Sequence, residues 1–345
     1  MRCGSQADHL RTEADGPVID IGGAVVQGCS DHNRCLSDPC RSHCNCEILY
    51  PEVRLTHYAG IEIGGTKLVA ARGRGHSIVD RVTIATTTPA ETLGKAVRVL
   101  TEWHDHEPLS AIGVASFGPV RIDRAANDYG KILATPKPGW EGTDLLAELR
   151  RFGVPVALDT DVNAAALAEA RLGAGQGCDS LIYITIGTGI GGGVVVGGRS
   201  AHGLLHPELG HMMLRRVEGD DFAGVCPFHG DCLEGLVSGP ALHARFAGDA
   251  AAADPKDPRW DTIASDLAQL LANLLLALSP QRIVIGGGVG LGQRSLVRRA
   301  ADKVPRIIAG YLPGIDRAAM DRLIVPPSLG ADAGPLGAIL LAADD

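Results

Sequence analysis

The chain has 345 residues, 45% hydrophobic and 21% charged, with a formal net charge of −8. That length accommodates two lobes with separate cores, and the composition is ordinary for a globular chain. Its acidity and the lack of a basic stripe argue against nucleic acid or an anionic membrane surface as partner, and no apolar run reaches the length of a bilayer span.

The first 57 residues stand apart. Six of the nine cysteines (Cys3, Cys29, Cys35, Cys40, Cys44 and Cys46) fall there. A disulfide or zinc module is one reading, with Cys35, Cys40, Cys44 and Cys46 as four ligands. The segment lacks periodic hydrophobicity, an apolar signal-peptide core and regular ligand spacing, so it reads better as a disordered extension or a mis-set translation start. The remaining cysteines fit a reducing cytoplasm.

From Tyr58 the pattern is regular. Strands are predicted at Tyr58–Ile63, Lys67–Ala71 and Ser77–Thr86. Thr88 and Pro89 open a helix whose Leu93, Ala96, Val97 and Leu100 share one face. Ala111–Ser116 reads as a strand, Asp144–Arg151 as a helix, Pro155–Leu158 as a strand and Asn163–Leu172 as a helix. A second cycle follows: strand Leu181–Ile186, a glycine-rich turn Gly187–Gly193, return strand Val194–Val196, and a connection 199–239 rich in His, Cys and acidic residues. Helices Pro240–Phe246 and Trp260–Leu278, strand Arg282–Ile285, helix Ser295–Leu312, strand Leu323–Val325 and helix Pro335–Ala342 complete the chain. The alternation indicates an α/β fold.

The internal repeat carries the first chemical signal. A strand, a Gly-Gly-Thr turn and a return strand at 59–71 are echoed by a strand, a Gly-Thr-Gly turn and a return strand at 181–196. Gly64 and Gly65 let main-chain N–H donors approach phosphate oxygens, Thr66 adds a hydroxyl, and Lys67 is either a phosphate-binding charge or a solvated strand residue. Gly187, Thr188 and Gly189 repeat this chemistry. Neither turn has P-loop spacing or a dinucleotide fingerprint, so their equivalent places in the repeat are what favour phosphate binding. A third cluster, Gly286, Gly287 and Gly288, follows a buried strand; it faces a nucleoside or merely links strand to helix.

Two further constellations follow. Asp159 and Asp161 lie where a strand meets a helix; one suits a catalytic carboxylate, while the other could cap the helix. His211, Cys226, His229 and Cys232 are four nitrogen and sulfur ligands, the last three spaced Cys-x2-His-x2-Cys. That set suits a closed structural zinc site, against the alternative of an incidental loop with buried thiols.

Taken together, Glu62–Lys67, Asp161–Ala165, the glycine run 187–193, Glu208–His211, Cys226–Glu234 and Gly286–Gly288 resemble the ROK family of sugar kinases and repressors, within the actin-like ATPase superfamily. Ala115–Pro119 and Cys226–Cys232 are similar to its bacterial fructokinase branch. Two departures stand out: Glu62 occupies a position where many members have Asp, and His229 replaces one of the three cysteines that commonly accompany the metal-site histidine.

The resemblance implies a two-lobed actin-like (ribonuclease H-like) fold with duplicated β-hairpin/α units and a cleft between the lobes. Residues 58–178 would form the N-terminal lobe, completed by the helix at 335–345, and 179–334 the C-terminal lobe with a zinc loop at 206–234. It implies ATP with Mg²⁺, a structural Zn²⁺, Asp161 as the base, sugar contacts from Asn163, Glu208, His211 and Glu234, and a homodimer. The expected reaction is phosphorylation of fructose to fructose 6-phosphate, with glucokinase or another hexose or N-acetylhexosamine kinase as the alternative. Family repressors carry an N-terminal helix-turn-helix, and residues 1–57 show neither its periodicity nor its basic charge.

Overall fold

The computed structural model describes residues 56–344 and, in the first 55 residues, three short antiparallel strands: β1 (Ile19–Ile21), β2 (Ala24–Val26) and β3 (Ile48–Leu49). The first 55 residues form one unit and Thr56–Asp345 another. The six leader cysteines, and most of the segment read as disordered or spurious, lie outside the described residues.

The second unit opens with β4 (His57–Ile63), β5 (Lys67–Arg74) and β6 (Ser77–Ala85), an antiparallel meander. Helix α1 (Pro89–His106) follows; the Thr88 side chain accepts from the Glu91 N–H, and Ala96, Val97, Leu100 and Trp103 form its buried face. Strands β7 (Ala111–Ser116) and β8 (Val156–Thr160) then add in parallel, giving the sheet order β6-β5-β4-β7-β8. Every residue of β7 is buried, as a strand covered on both faces requires. Helix α2 (Asp161–Leu172) leaves directly from the end of β8.

The second sheet repeats this plan. Hairpin strands β9 (Ser180–Ile186) and β10 (Ile190–Val196) and the short β11 (Arg199–Ser200) are antiparallel. After α3 (Leu233–Val237), α4 (Gly239–Phe246) and α5 (Arg259–Leu278), strand β12 (Arg282–Gly286) joins β9 in parallel. Helices α6 (Gly287–Gly292), α7 (Arg294–Ile308) and α8 (Arg317–Leu323) lead to β13 (Ile324–Val325) and finally to α9 (Ala333–Asp344). The order β11-β10-β9-β12-β13 matches the first sheet strand for strand. Each sheet has its own apolar core, one built on β4, β7 and α1, the other on β9, β12, α5 and α7.

Helices α2 and α9 pack together between the sheets, and glycines permit the close approach. A Cβ at Gly113 of β7 would overlap the Ala338 carbonyl oxygen of α9, one at Gly193 of β10 would overlap that of Val162, and one at Gly337 would overlap that of Ala164. Thus α9 lies on the first sheet and α2 on the second, and they touch each other through Ala164, Gly337 and Ala338.

Several sequence expectations are corrected. Asp144–Arg151 is not a helix. The Leu145 N–H goes to Gly130 O (3.0 Å) and the Asp144 carboxylate takes the Leu146 N–H (2.9 Å), so this backbone binds its neighbour, and only the 3₁₀ turn Leu149–Phe152 forms. The glycine turn ends at Gly189, and Ile190–Gly193 belong to β10. Helix 295–312 stops at Ile308, where Ala309 takes a left-handed φ of 52°. Leu323 closes helix α8, which the sequence reading missed. Helix α5, contrary to the reading of spans, is long and apolar enough to cross a bilayer. Ile263, Leu267, Leu270, Leu271 and Leu274 bury it in the second core instead.

Candidate active site

The first phosphate turn joins β4 to β5. The Gly64 N–H donates to Lys67 O (2.9 Å), the Thr86 hydroxyl donates to Gly64 O (2.9 Å), and the Thr86 N–H donates to Thr66 O (3.0 Å). The turn is thus tied to the end of β6 while Gly65 faces open space. The second turn joins β9 to β10. The Gly187 N–H closes onto Gly189 O (2.9 Å), the Gly239 N–H reaches Gly187 O (2.7 Å), and the Ile190 N–H donates to the Glu234 carboxylate (2.9 Å). A Cβ at Gly189 would lie 2.7 Å from Glu234 Oε2. Thr188 is exposed at the tip. The third glycine cluster abuts this turn: Gly287 has φ +80° and no room for a Cβ beside Ile186 O, and Gly288 heads α6 next to Gly187.

Asp161 is the first residue of α2. The cap is neither aspartate but Thr160, whose hydroxyl accepts the Asn163 N–H (3.1 Å). Burial raises the Asp161 carboxyl to about 6, against the lowering pull of the main-chain N–H groups of Val162 and Asp161, with the Asp159 charge adding to the rise. A carboxylate ionising near neutrality suits a general base.

Asp159 is 1% exposed and fully engaged, accepting from the Thr160 N–H (2.7 Å) and the Asn163 amide (2.7 Å), with His202 Nε2 at 2.9 Å. Asn163 is itself fully buried, and its Oδ1 has no partner among the described residues. The Asn163 amide thus supports Asp159.

Glu208 and Glu234 approach from the second sheet's connection. Burial, Asp161 and Glu234 together push the Glu208 carboxyl up to about 7. Glu62, at the end of β4, is pushed to about 7 by burial and by Asp161, with Lys67 opposing. Four carboxylates thus crowd one region. Raised folded-state pKa values mean that the folded protein holds protons the unfolded chain has released, so this cluster costs stability as pH rises from about 4.5 through 7. Glu62→Gln is therefore expected to stabilise the ligand-free protein at pH 8 by on the order of 1 kcal/mol after solvent screening, and by much less at pH 5. Thermal unfolding at both pH values checks this; a stability gap that does not widen with pH would exclude it.

His211, Cys226, His229 and Cys232 converge, their ligand atoms all within 4.8 Å of one another. His211 Nδ1 lies 3.7 Å from Cys226 Sγ and 3.6 Å from Cys232 Sγ, and His229 Nδ1 lies 3.7 Å from Cys226 Sγ. Tetrahedral zinc with ordinary Zn–N and Zn–S bonds would set nitrogen and sulfur about 3.6 Å apart, so the donor set fits the ion in both chemistry and spacing. Paired Cys226–Gly230 backbone bonds (3.1 and 2.9 Å) form the loop, and the Leu233 N–H to Met212 O bond (3.0 Å) ties it to the His211 segment. Cys232 directly precedes α3, whose first turn carries Glu234.

Two histidines escaped the sequence reading. His202 meets Asp159, and His206 Nε2 accepts the Val120 N–H (3.1 Å) while its Nδ1 lies 3.3 Å from Glu208. The signal was His-x3-His-x-Glu in an otherwise apolar loop. Together they carry the 201–208 loop of the second half onto the first.

A five-stranded β-hairpin/α unit used twice, with a glycine turn in each copy and carboxylates between them, defines an actin-like ATPase fold equipped for phosphoryl transfer. The ROK family profile matches residues 58–345, and the chain belongs to that family. It is 42% identical over 298 residues to the fructokinase of Zymomonas mobilis, covering 83% of this chain and 96% of that protein. It is 41% identical over 285 residues to the fructokinase of Pediococcus pentosaceus, covering 82% and 96%. Among solved structures, the ROK hexokinase of Thermus thermophilus superposes with a TM-score of 0.68 at 31% identity, covering 84% of this chain and 98% of that one. The ROK glucokinase of Streptomyces griseus, in complex with glucose and AMPPNP, gives 0.65 at 26% identity, covering 84% and 100%.

Proposed function

We propose that the protein is an ATP-dependent hexose kinase that converts fructose to fructose 6-phosphate, with Asp161 as general base. The observation that carries this reading is the Asp161 carboxyl, set at the start of α2 with its pKa raised to about 6 beside Glu62 and Glu208. Fructose is favoured as substrate because relatives named fructokinase match over more than four-fifths of the chain.

The chemistry follows from the residues. Asp161 accepts the proton of the sugar hydroxyl as its oxygen attacks the γ-phosphorus; the bond to the bridging oxygen breaks and ADP leaves with that electron pair. The turns at Gly64–Thr66 and Gly187–Gly189 offer N–H donors to the polyphosphate, and Gly286–Gly288 lines its nucleoside end. Glu208 and Glu234 accept hydrogen bonds from sugar hydroxyls, and His211, with Nδ1 turned toward the two cysteine sulfurs, donates its Nε2–H to a sugar oxygen. Asn163 holds Asp159 through its amide N–H, and its Oδ1, without a partner among the described residues, is left to accept from a sugar hydroxyl as the family resemblance implies.

Glu62 is a hard oxygen donor whose repulsion from Asp161 a divalent cation would relieve, so it fits Mg²⁺ and leaves the Asp161 carboxylate free to accept the proton. Bound with ATP, that ion supplies charge neutralisation on the phosphates. Zn²⁺ held by His211, Cys226, His229 and Cys232 would serve structure, anchoring the loop that presents Glu208 and Glu234. The lobes are taken as 58–178 with the C-terminal helix, and 179–334; the leader as dispensable; the enzyme as a cytoplasmic homodimer.

A coupled ADP-release screen over fructose, glucose, mannose and N-acetylhexosamines tests the reading. Fructose is expected to show the highest kcat/KM. A higher value for glucose would favour the glucokinase reading, and no sugar-dependent ADP release would overturn kinase function altogether.

A further inference from the structure

Lys137 sits beside the first phosphate turn, on a segment to which no role has been given so far. Its ammonium Nζ donates to the carbonyl oxygen of Gly65 at 2.5 Å. The segment is held firmly. Pro136 and Pro138 flank the lysine, and the Trp140 N–H closes a turn onto Lys137 O (3.3 Å). Trp140 is completely buried, packs edge-on against Phe117, and donates its indole N–H to Thr87 O (2.9 Å). Thr87 adjoins Thr86, the residue whose hydroxyl and N–H hold Gly64 and Thr66. One rigid frame therefore carries both the phosphate turn and the base of the Lys137 side chain.

The electrostatics set Lys137 apart from Lys67. Lys67 acts on the Glu62 carboxylate and lowers its pKa, against the rise caused by burial and Asp161. Lys137 forms no ion pair among the described residues, and its partner is a neutral carbonyl. An ammonium has three donors, and Gly65 O takes one. An unpaired cation in an acidic protein, half-buried against a turn that opens onto free space at Gly65, has an anionic ligand as its natural complement. From the same frame it can add charge to the transferring group without competing with the N–H donors of the turn.

We propose that Lys137 is a catalytic residue of phosphoryl transfer: its ammonium moves from Gly65 O onto the γ-phosphoryl group and neutralises charge there as the group passes to the sugar oxygen. Lys137 exchanges no proton. The proton of the sugar hydroxyl goes to Asp161, and the electron pair of the broken bond leaves on ADP. This inference rests on the kinase reading of the cleft, and it predicts that the lysine distinguishes a nucleotide with a γ-phosphate from one without.

The test compares the unaltered chain with Lys137→Met and Lys137→Arg, each with Mg²⁺ present. Calorimetric binding of AMPPNP to Lys137→Met should weaken about 10–100-fold while ADP binding stays within about twofold, the range expected for loss of a charged hydrogen bond to one phosphate. In the coupled assay, kcat should fall by about 10–100-fold, with the fructose KM nearly unchanged and Lys137→Arg recovering most of the loss. Equal weakening of AMPPNP and ADP would mean that the lysine only tethers the turn, and would overturn the proposal, as would an unchanged kcat. If the unaltered chain turned over no sugar, the kinase reading would fail by itself, and the difference between AMPPNP and ADP would still decide what Lys137 binds.

Discussion

Asp161→Asn is expected to fold, bind fructose and ATP, and turn over about 10²–10⁴-fold more slowly. The substitution keeps size and shape, the Thr160 cap is untouched, and an amide oxygen can still take the Val162 N–H that Asp161 Oδ1 accepts at 2.9 Å. What it removes is a group able to receive a proton near neutral pH. Asp159→Asn should behave differently. Asp159 anchors the junction of β8 and α2 through three partners, and an amide cannot accept from all of them. That variant should lose stability, by about 1–3 kcal/mol, more than it loses kcat. Steady-state kinetics and thermal unfolding of both proteins check the pair; near-normal turnover in a folded Asp161→Asn protein would remove the residue from the chemistry.

The second large effect concerns the metal loop. Elemental analysis is expected to find one tightly held zinc per chain, and Cys226→Ser with Cys232→Ser should release it. Because α3 begins directly after Cys232 and the His211 turn directly follows Glu208, the carboxylates proposed to bind sugar, Glu208 and Glu234, should lose their positions together. A shift of about 1 Å in such groups can cost about 10²-fold, so the fructose KM should rise by roughly that factor. The ATP KM should rise less: the turn at Gly64 is held by β6 and keeps its geometry, and only the Gly187 turn, tied to Glu234 through the Ile190 N–H, loses part of its support. Unchanged sugar affinity in the double variant, or a metal-free unaltered chain, would exclude a structural zinc.

Much of this architecture is legible in one dimension because its signals are local. The alternation of apolar strands with glycine turns marks both hairpins, and their repetition marks the two halves. Pro89 after Thr88 marks the start of α1 through the chemistry of a single cap. The metal ligands are legible for the same reason: three of the four lie within seven residues, and few other residue types bind zinc. Where reading failed, a distant partner decided the outcome. Asp144–Arg151 has helical spacing, but its backbone pairs with residues 130–132, which no local pattern reveals. Arg259–Leu278 is legible as a helix; its composition would also suit a membrane span, and its packing against β9, β12 and α7 makes it a core helix.

The site divides in the same way. The sequence alone determined that glycine turns, a strand-end carboxylate pair and a nitrogen–sulfur ligand set are present, because each depends on residue type over a few positions. Only the tertiary structure decided their assignments. It gave the cap to Thr160, spent Asn163 and His202 on Asp159, crowded Glu62, Asp161 and Glu208 until their pKa values rose toward neutrality, and laid Lys137 against a turn 72 residues away. Burial, charge proximity and hydrogen-bond partners are properties of position in space, and the chain order of these residues does not contain them.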